Sequence, residues 1–261
     1  MDLSRARVVL RQRSTLDVLD LTLRFVVANA GAYAKMTAIA IVPAGLISWW
    51  LAATWAWAWG WTNTVLLALL MEAPFTVLAS RLVFESDVRL TDVLLTSLRA
   101  LPRLFVLRLV QIFVVGVGVM LFIVPGLWLA IVLMFVVEAA ILERASITAA
   151  ISRSRRLATH RSGEAISVGA LLLLLHAGAT YLGDDVGRFA IGSLFQFREP
   201  EPLWTAGGSP LALLGFWLFL PYAATARFFA YLDLRTRSEG WDIQTQFAAI
   251  ALRAEESRKA A

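Results

Sequence analysis

Long apolar runs recur six times along the chain, at about 36–56, 62–84, 104–122, 125–143, 164–183 and 209–232. A helix rising 1.5 Å per residue needs about 20 apolar residues to cross about 30 Å of hydrocarbon, so each run predicts a transmembrane helix. Pro125-Gly126 divides a forty-residue apolar run into spans three and four, because proline breaks the helical ladder and glycine permits a tight turn. The pattern predicts an all-α polytopic membrane protein in which six spans form three hairpins. It divides the chain into a cytoplasmic N-terminal segment (1–35), a six-helix transmembrane domain (36–232) and a cytoplasmic C-terminal amphipathic tail (233–261).

Between the spans the pattern changes to apolar residues at helical spacing with polar residues between them. "DVLDLTLRFV" (17–26), "DVLLTSLRAL" (92–101) and "TAAISRSRRL" (148–157) can be laid over one another, with Asp17, Asp92 and Thr148 at N-cap-like positions and Arg24, Arg99 and Arg155 seven residues later. Each reads as an amphipathic helix lying in the membrane interface ahead of a hairpin. Residues 243–258 read the same way. Two stretches stand on the opposite side. "WAWAWGW" (55–61) supplies interfacial tryptophan anchors, and within 184–208 "GRFAIGSLFQF" predicts a half-helix resting on the outer interface.

Composition agrees with the spans. Of 261 residues 59% are hydrophobic and only 16% charged, with no cysteine, against about a quarter charged in soluble domains. The N-terminal arginines 5, 7, 11 and 13 precede about twenty residues of mixed polarity, so no secretory signal is expected there. With an even number of spans, one side holds residues 1–35, 81–108, 144–161 and 227–261, and with them 22 of the 24 lysines and arginines. Positive residues favour the cytoplasmic side, so both termini are expected there, facing anionic lipid headgroups. The net charge of +5 is spread over four segments of one membrane face, which argues against nucleic acid as a partner.

Ionisable residues at membrane depth are functional candidates by default. Five stand out: Glu72, Arg108, Glu138, His176 and Arg227. Arg108 and Glu138 lie at matched depth on the two arms of the hairpin turning at 125–126, roughly 21–24 Å from the turn, and are expected to pair. Arg227 can share Glu138. Glu72 falls near the midplane with no cation at its depth, and His176 approaches it if the second and fifth spans are neighbours. Pro43, Pro74 and Pro221 interrupt spans, and Pro74 beside Glu72 is the best sign of local unwinding. No GxSxG, HExxH, GxxxxGK[ST] or GxGxxG pattern occurs. Hence no catalytic residues, metal ligands or cofactors are assigned. Asp184 and Asp185 read as a helix cap or a solvated loop.

Two motifs carry a resemblance. The first is Pro125, Gly126, Trp128 and Leu129, followed by an apolar run, Glu143, Ala150, Arg153, Ser154 and Leu157. The second is Tyr231, Asp233, Leu234, Arg235, Arg237, Glu239, Gly240, Trp241 and Asp242. Together they resemble the YciC-like bacterial six-helix membrane proteins, also known as the membrane domain associated with glycerophosphoryl diester phosphodiesterases. Glu138 stands near a position where that family often has proline. The resemblance implies a protein of the bacterial cytoplasmic (inner) membrane with no established activity.

Taken on its own residues, the second motif reads as an exit from the membrane. Arg235 and Arg237 are expected at the headgroups, Gly240 ends the helix, Trp241 re-enters the interface, Asp242 caps the tail helix, and Asp233 bonds an arginine of another helix. Three functions remain open. The first is a non-enzymatic scaffold or accessory subunit contacting lipids, membrane-protein partners or a second copy of itself. The second is a transporter or channel using Glu72 and Glu138. The third, implied only by the family label, is a lipid-modifying enzyme.

Overall fold

The computed structural model describes residues 14–85 and 87–238. In chain order the helices are α1 (Thr15–Ala28), α2 (Ala30–Thr54), α3 (Trp57–Phe84), α4 (Leu90–Leu121), α5 (Ile123–Val132), α6 (Val136–Leu142), α7 (Ile147–His160), α8 (Ser162–Phe189), α9 (Leu203–Ala206) and α10 (Pro210–Ser238). No strand occurs among the described residues. Six helical segments are long and apolar enough to cross a membrane: α2, α3, α4, α5 with α6, α8 with the π-helical turn that follows it, and α10. Residues 239–242 of the second motif and the tail helix expected at 243–258 lie outside the described residues.

The three hairpins form as the apolar runs predict: α2 packs on α3, α4 on α5, and α8 on α10. They do not contribute equally. α10 also contacts α1, α2, α3, α6 and α7, so it is the central post of the bundle. Within its most apolar stretch 61% of residues are buried, against 17% for the stretch containing α8. The outward surface is apolar; Met120 is 88% and Phe113 71% exposed. A bundle presenting that much hydrocarbon is stable only with lipid around it.

Three local features depart from the sequence pattern. The caps of the short helices sit two or three residues earlier than expected. Ser14 caps α1, with Asp17 completing a reciprocal capping box, and Ser146 caps α7. The stretch 92–101 is not a separate helix but the first turns of the 32-residue α4, which runs on unbroken through Pro102 into the span. The predicted outer half-helix is a continuation of α8, which runs to Phe189 and closes with a π-helical turn at Ala190–Leu194.

The hairpin at 121–123 also works differently from expectation. The reversal is made by Phe122 in extended backbone, and Pro125 sits in the first turn of α5, where its missing N–H costs nothing. Gly126 serves close approach rather than an unusual turn: a Cβ there would lie 2.5 Å from the Val119 nitrogen. A second close crossing joins α8 to α10, where a Cβ on Gly215 would lie 2.2 Å from the Ala179 carbonyl oxygen. Small residues at such crossings let helices in lipid approach backbone to backbone.

Candidate functional site: an intramembrane charge chain at a broken helix

Glu72 on α3, Arg108 on α4, Glu138 on α6 and Arg227 on α10 converge inside the bundle. Glu72 is the hub. One of its oxygens accepts from Arg108 Nη2 and the other from Arg227 Nη1 at 2.8 Å. Arg227 Nε then donates to Glu138 Oε1 at 3.1 Å. The result is an alternating chain, Arg108–Glu72–Arg227–Glu138, with formal charges that sum to zero. Glu72, Arg108 and Glu138 are buried.

The expected Arg108–Glu138 pair is therefore not a direct one; Arg108 reaches Glu138 only through Glu72 and Arg227. Matched backbone depth does not fix the pairing, because the long arginine stem spans the difference in depth between helices. Glu72, expected to lack a cation, has two. Taking these ions out of water is expensive, and the energy is recovered only if their hydrogen-bonding groups are met. Arg108 shows that demand: its Nε donates to the Leu69 carbonyl at 3.0 Å and its Nη1 to Gln111 Oε1.

The fourth span is broken beside this chain. Residues 133–135 form a turn between α5 and α6, in a stretch, "LMF", that holds neither proline nor glycine. α2, α3 and α10, by contrast, run unbroken through Pro43, Pro74 and Pro221. Inside a membrane the polar groups freed by a break need internal partners, and side chains of two other helices supply them. Ser154 of α7 donates to the Val132 carbonyl at 2.7 Å and accepts from the Phe135 N–H at 3.1 Å. Gln111 of α4 reaches the Leu133 carbonyl at 3.4 Å. Gln111 thus links Arg108 to the break.

A cavity of about 460 Å³ adjoins the break, between α3, α8 and α10. Glu72, His176, Thr180, Arg227 and Met134 are among its lining residues. Glu72 and His176 share this space, but the His176 ring nitrogen Nε2 bonds elsewhere, donating to the Phe216 carbonyl at 3.1 Å. The imidazole is also held against the rings of Phe216 and Phe219, with centroids 4.3 and 5.1 Å away. Among the described residues no group of three or more histidine, aspartate or glutamate side chains is placed to hold a metal ion.

The two sequence motifs meet in a second cluster. Glu143 Oε1 takes Arg153 Nε at 3.0 Å, Arg235 Nη1 at 3.3 Å and the Tyr231 hydroxyl. Arg237 pairs with Glu164 at 3.0 Å and with Asp233 at 2.9 Å. Arg235 and Arg237, expected at the headgroups, have side chains only 18% and 10% exposed, because Glu143 at the end of α6, Glu164 on α8 and Asp233 on α10 itself supply carboxylates within the bundle. Asp233, expected to bond an arginine of another helix, pairs with Arg237 four residues on in its own. Phe228 and Tyr231 are core residues. Glu143 is the functional-looking residue that reading along the chain undervalued, since its partners lie ten and about ninety residues away.

At the other end of the bundle, Asp184 is neither cap nor solvated loop. It is buried on α8, accepting from the Ser209 hydroxyl and from the Leu203 N–H at 3.0 Å. It fastens the segment between α8 and α10. No protein-family model matches the chain, and no curated protein or solved structure matches it either.

Proposed function

We propose that the protein is a non-enzymatic accessory or scaffold protein of the bacterial cytoplasmic membrane, with both termini on the cytoplasmic side. The observation that carries this reading is the closure of the charge chain. Each of the four intramembrane charges is matched by one on a neighbouring helix, so the set holds the bundle together rather than waiting for a solute. The basic residues favour the cytoplasmic orientation. α7 supports a docking role there: Ala150, Ser154, Leu157 and Ala158 face inward while Arg155, Arg156 and Thr159 are exposed. A place in the YciC-like group is supported by the two motifs, whose residues Glu143, Arg153, Tyr231 and Arg235 share one contact set.

The test is a photo-crosslinking residue at Arg156 or Thr159 in living cells, followed by purification in mild detergent. Discrete crosslinks to a membrane protein or to a second copy are expected. Recovery of the free chain with lipid adducts alone would sink the scaffold reading. A second reading, transport, is favoured by one observation: the broken span and the cavity lined by Glu72, Arg227 and His176 lie together, as binding sites and broken helices do in transporters. Proteoliposomes that show a solute or proton flux abolished by Glu72→Gln would establish it.

A further inference from the structure

The cavity between α3, α8 and α10 has a chemistry of its own. α3 and α8 flank it, each packed on α10, and its rim residues Val65 and Leu173 are 49% and 66% exposed on the outside of the bundle. It therefore opens sideways, toward hydrocarbon. Its volume falls in the ordinary range for small-molecule pockets, which are mostly apolar with a few placed polar groups. Leu69, Leu172 and Leu220 are among the apolar residues of the wall.

The polar groups decide what head a ligand would carry. His176 Nε2–H is spent on the Phe216 carbonyl, which leaves Nδ1 of the neutral ring as an acceptor. The Thr180 hydroxyl donates to the His176 carbonyl at 2.9 Å and keeps its lone pairs. Glu72 can only accept, and each of its oxygens has room for a further bond beside its arginine. Arg227 directs Nη1 and Nε at the two glutamates, and its Nη2 is buried with no hydrogen-bond partner. The unused capacity of the cavity is thus mainly acceptor, with the unpaired Arg227 Nη2 a donor beside it. A complementary head donates and can also accept, as a hydroxyl does. The charge chain beneath it is neutral as a whole, so an ammonium head would lose its hydration for no net attraction, and a carboxylate or phosphate would face mostly acceptors, the Glu72 carboxylate among them.

We propose that this cavity binds an uncharged membrane amphiphile: a hydroxyl-bearing long-chain molecule entering from the bilayer, its hydroxyl at Glu72, His176 and Thr180 and its chain along the leucines. The test uses tetradecan-1-ol, tetradecane, tetradecanoate and tetradecylammonium with the purified full-length protein in detergent, bound ligand being counted by native mass spectrometry. The alcohol should be retained about tenfold better than each of the other three, the ratio expected from one net hydrogen bond. Ala177→Leu, at an exposed wall position, should abolish retention. Thr180→Val should lower it severalfold for the alcohol and leave the alkane unchanged. Equal retention of alkane and alcohol by the wild-type protein would reduce the cavity to an apolar void. Preference for either charged head, or undiminished binding to an Ala177→Leu protein that elutes as the wild type does, would overturn the assignment.

Discussion

At the scale of single residues, Glu72 and Glu138 are both buried carboxylates, yet their positions in the charge chain differ. Glu72 holds two arginines and Glu138 one. Breaking a buried pair by removing one partner leaves an uncompensated charge and costs about 3–5 kcal/mol. Glu72→Gln takes a carboxylate from both arginines, leaving Arg227 with Glu138 and Arg108 with none in the chain, and should lower thermal stability in detergent by at least that much. Glu138→Gln leaves Arg227 its bond to Glu72 and should cost about half as much. Equal losses in a melting experiment on the two variants would show that Glu72 is not the hub. Ser154 is a smaller residue with a comparable duty. Ser154→Ala strips partners from a buried carbonyl and a buried N–H at the break, an effect of about 1–3 kcal/mol. It should also raise amide exchange at Phe135, beyond what a general loss of stability produces in α10.

At the scale of elements, the close helix crossings make the next prediction. Gly215→Ala forces a methyl group to within 2.2 Å of the Ala179 carbonyl oxygen on α8, and backbone cannot yield as a side chain does. The α8–α10 hairpin should separate, read as loss of the monodisperse species in size-exclusion chromatography. Gly178, with nothing near its would-be Cβ, is the matched control and should tolerate alanine. The same scale explains which helices were legible. Six apolar runs of sufficient length predicted six spans, because a bilayer imposes a minimum length that no soluble core does. The break in the fourth span was not legible. "LMF" contains no breaker, and the turn exists because Ser154 and Gln111 arrive from other helices to satisfy its backbone. The prolines misled for the complementary reason: a helix buried among neighbours keeps its course where an isolated one would kink.

At the scale of the whole molecule, the basic segments should share one membrane face. The chain has no cysteine, so single cysteines introduced at exposed Thr159 and at exposed Gln196 can be probed with an impermeant maleimide. In intact spheroplasts Gln196→Cys should label and Thr159→Cys should label only after lysis. The reverse pattern would invert the orientation. The Glu143 cluster makes a second prediction at this scale. Tyr231→Phe and Glu143→Gln should each loosen the end of α10 from α7, seen as faster proteolysis after Arg235 with the spans intact; unchanged cleavage would show that the cluster is not a latch.

What the sequence determined by itself was whatever depends on distance along the chain: the helical class, the number and pairing of spans, and the two motifs. These follow from apolar length and from where polar residues interrupt it, which are local quantities. Tertiary structure decided which charges meet. Arg108 meets Glu72 rather than Glu138, Glu143 gathers partners from α7 and α10, and Asp184 clasps a segment about twenty residues away. Such pairs are set by the packing of helices around α10 and by the reach of arginine side chains, neither of which has a period in the sequence. The cavity belongs to the same class. It is a space left between helices, and no residue in the chain encodes it alone.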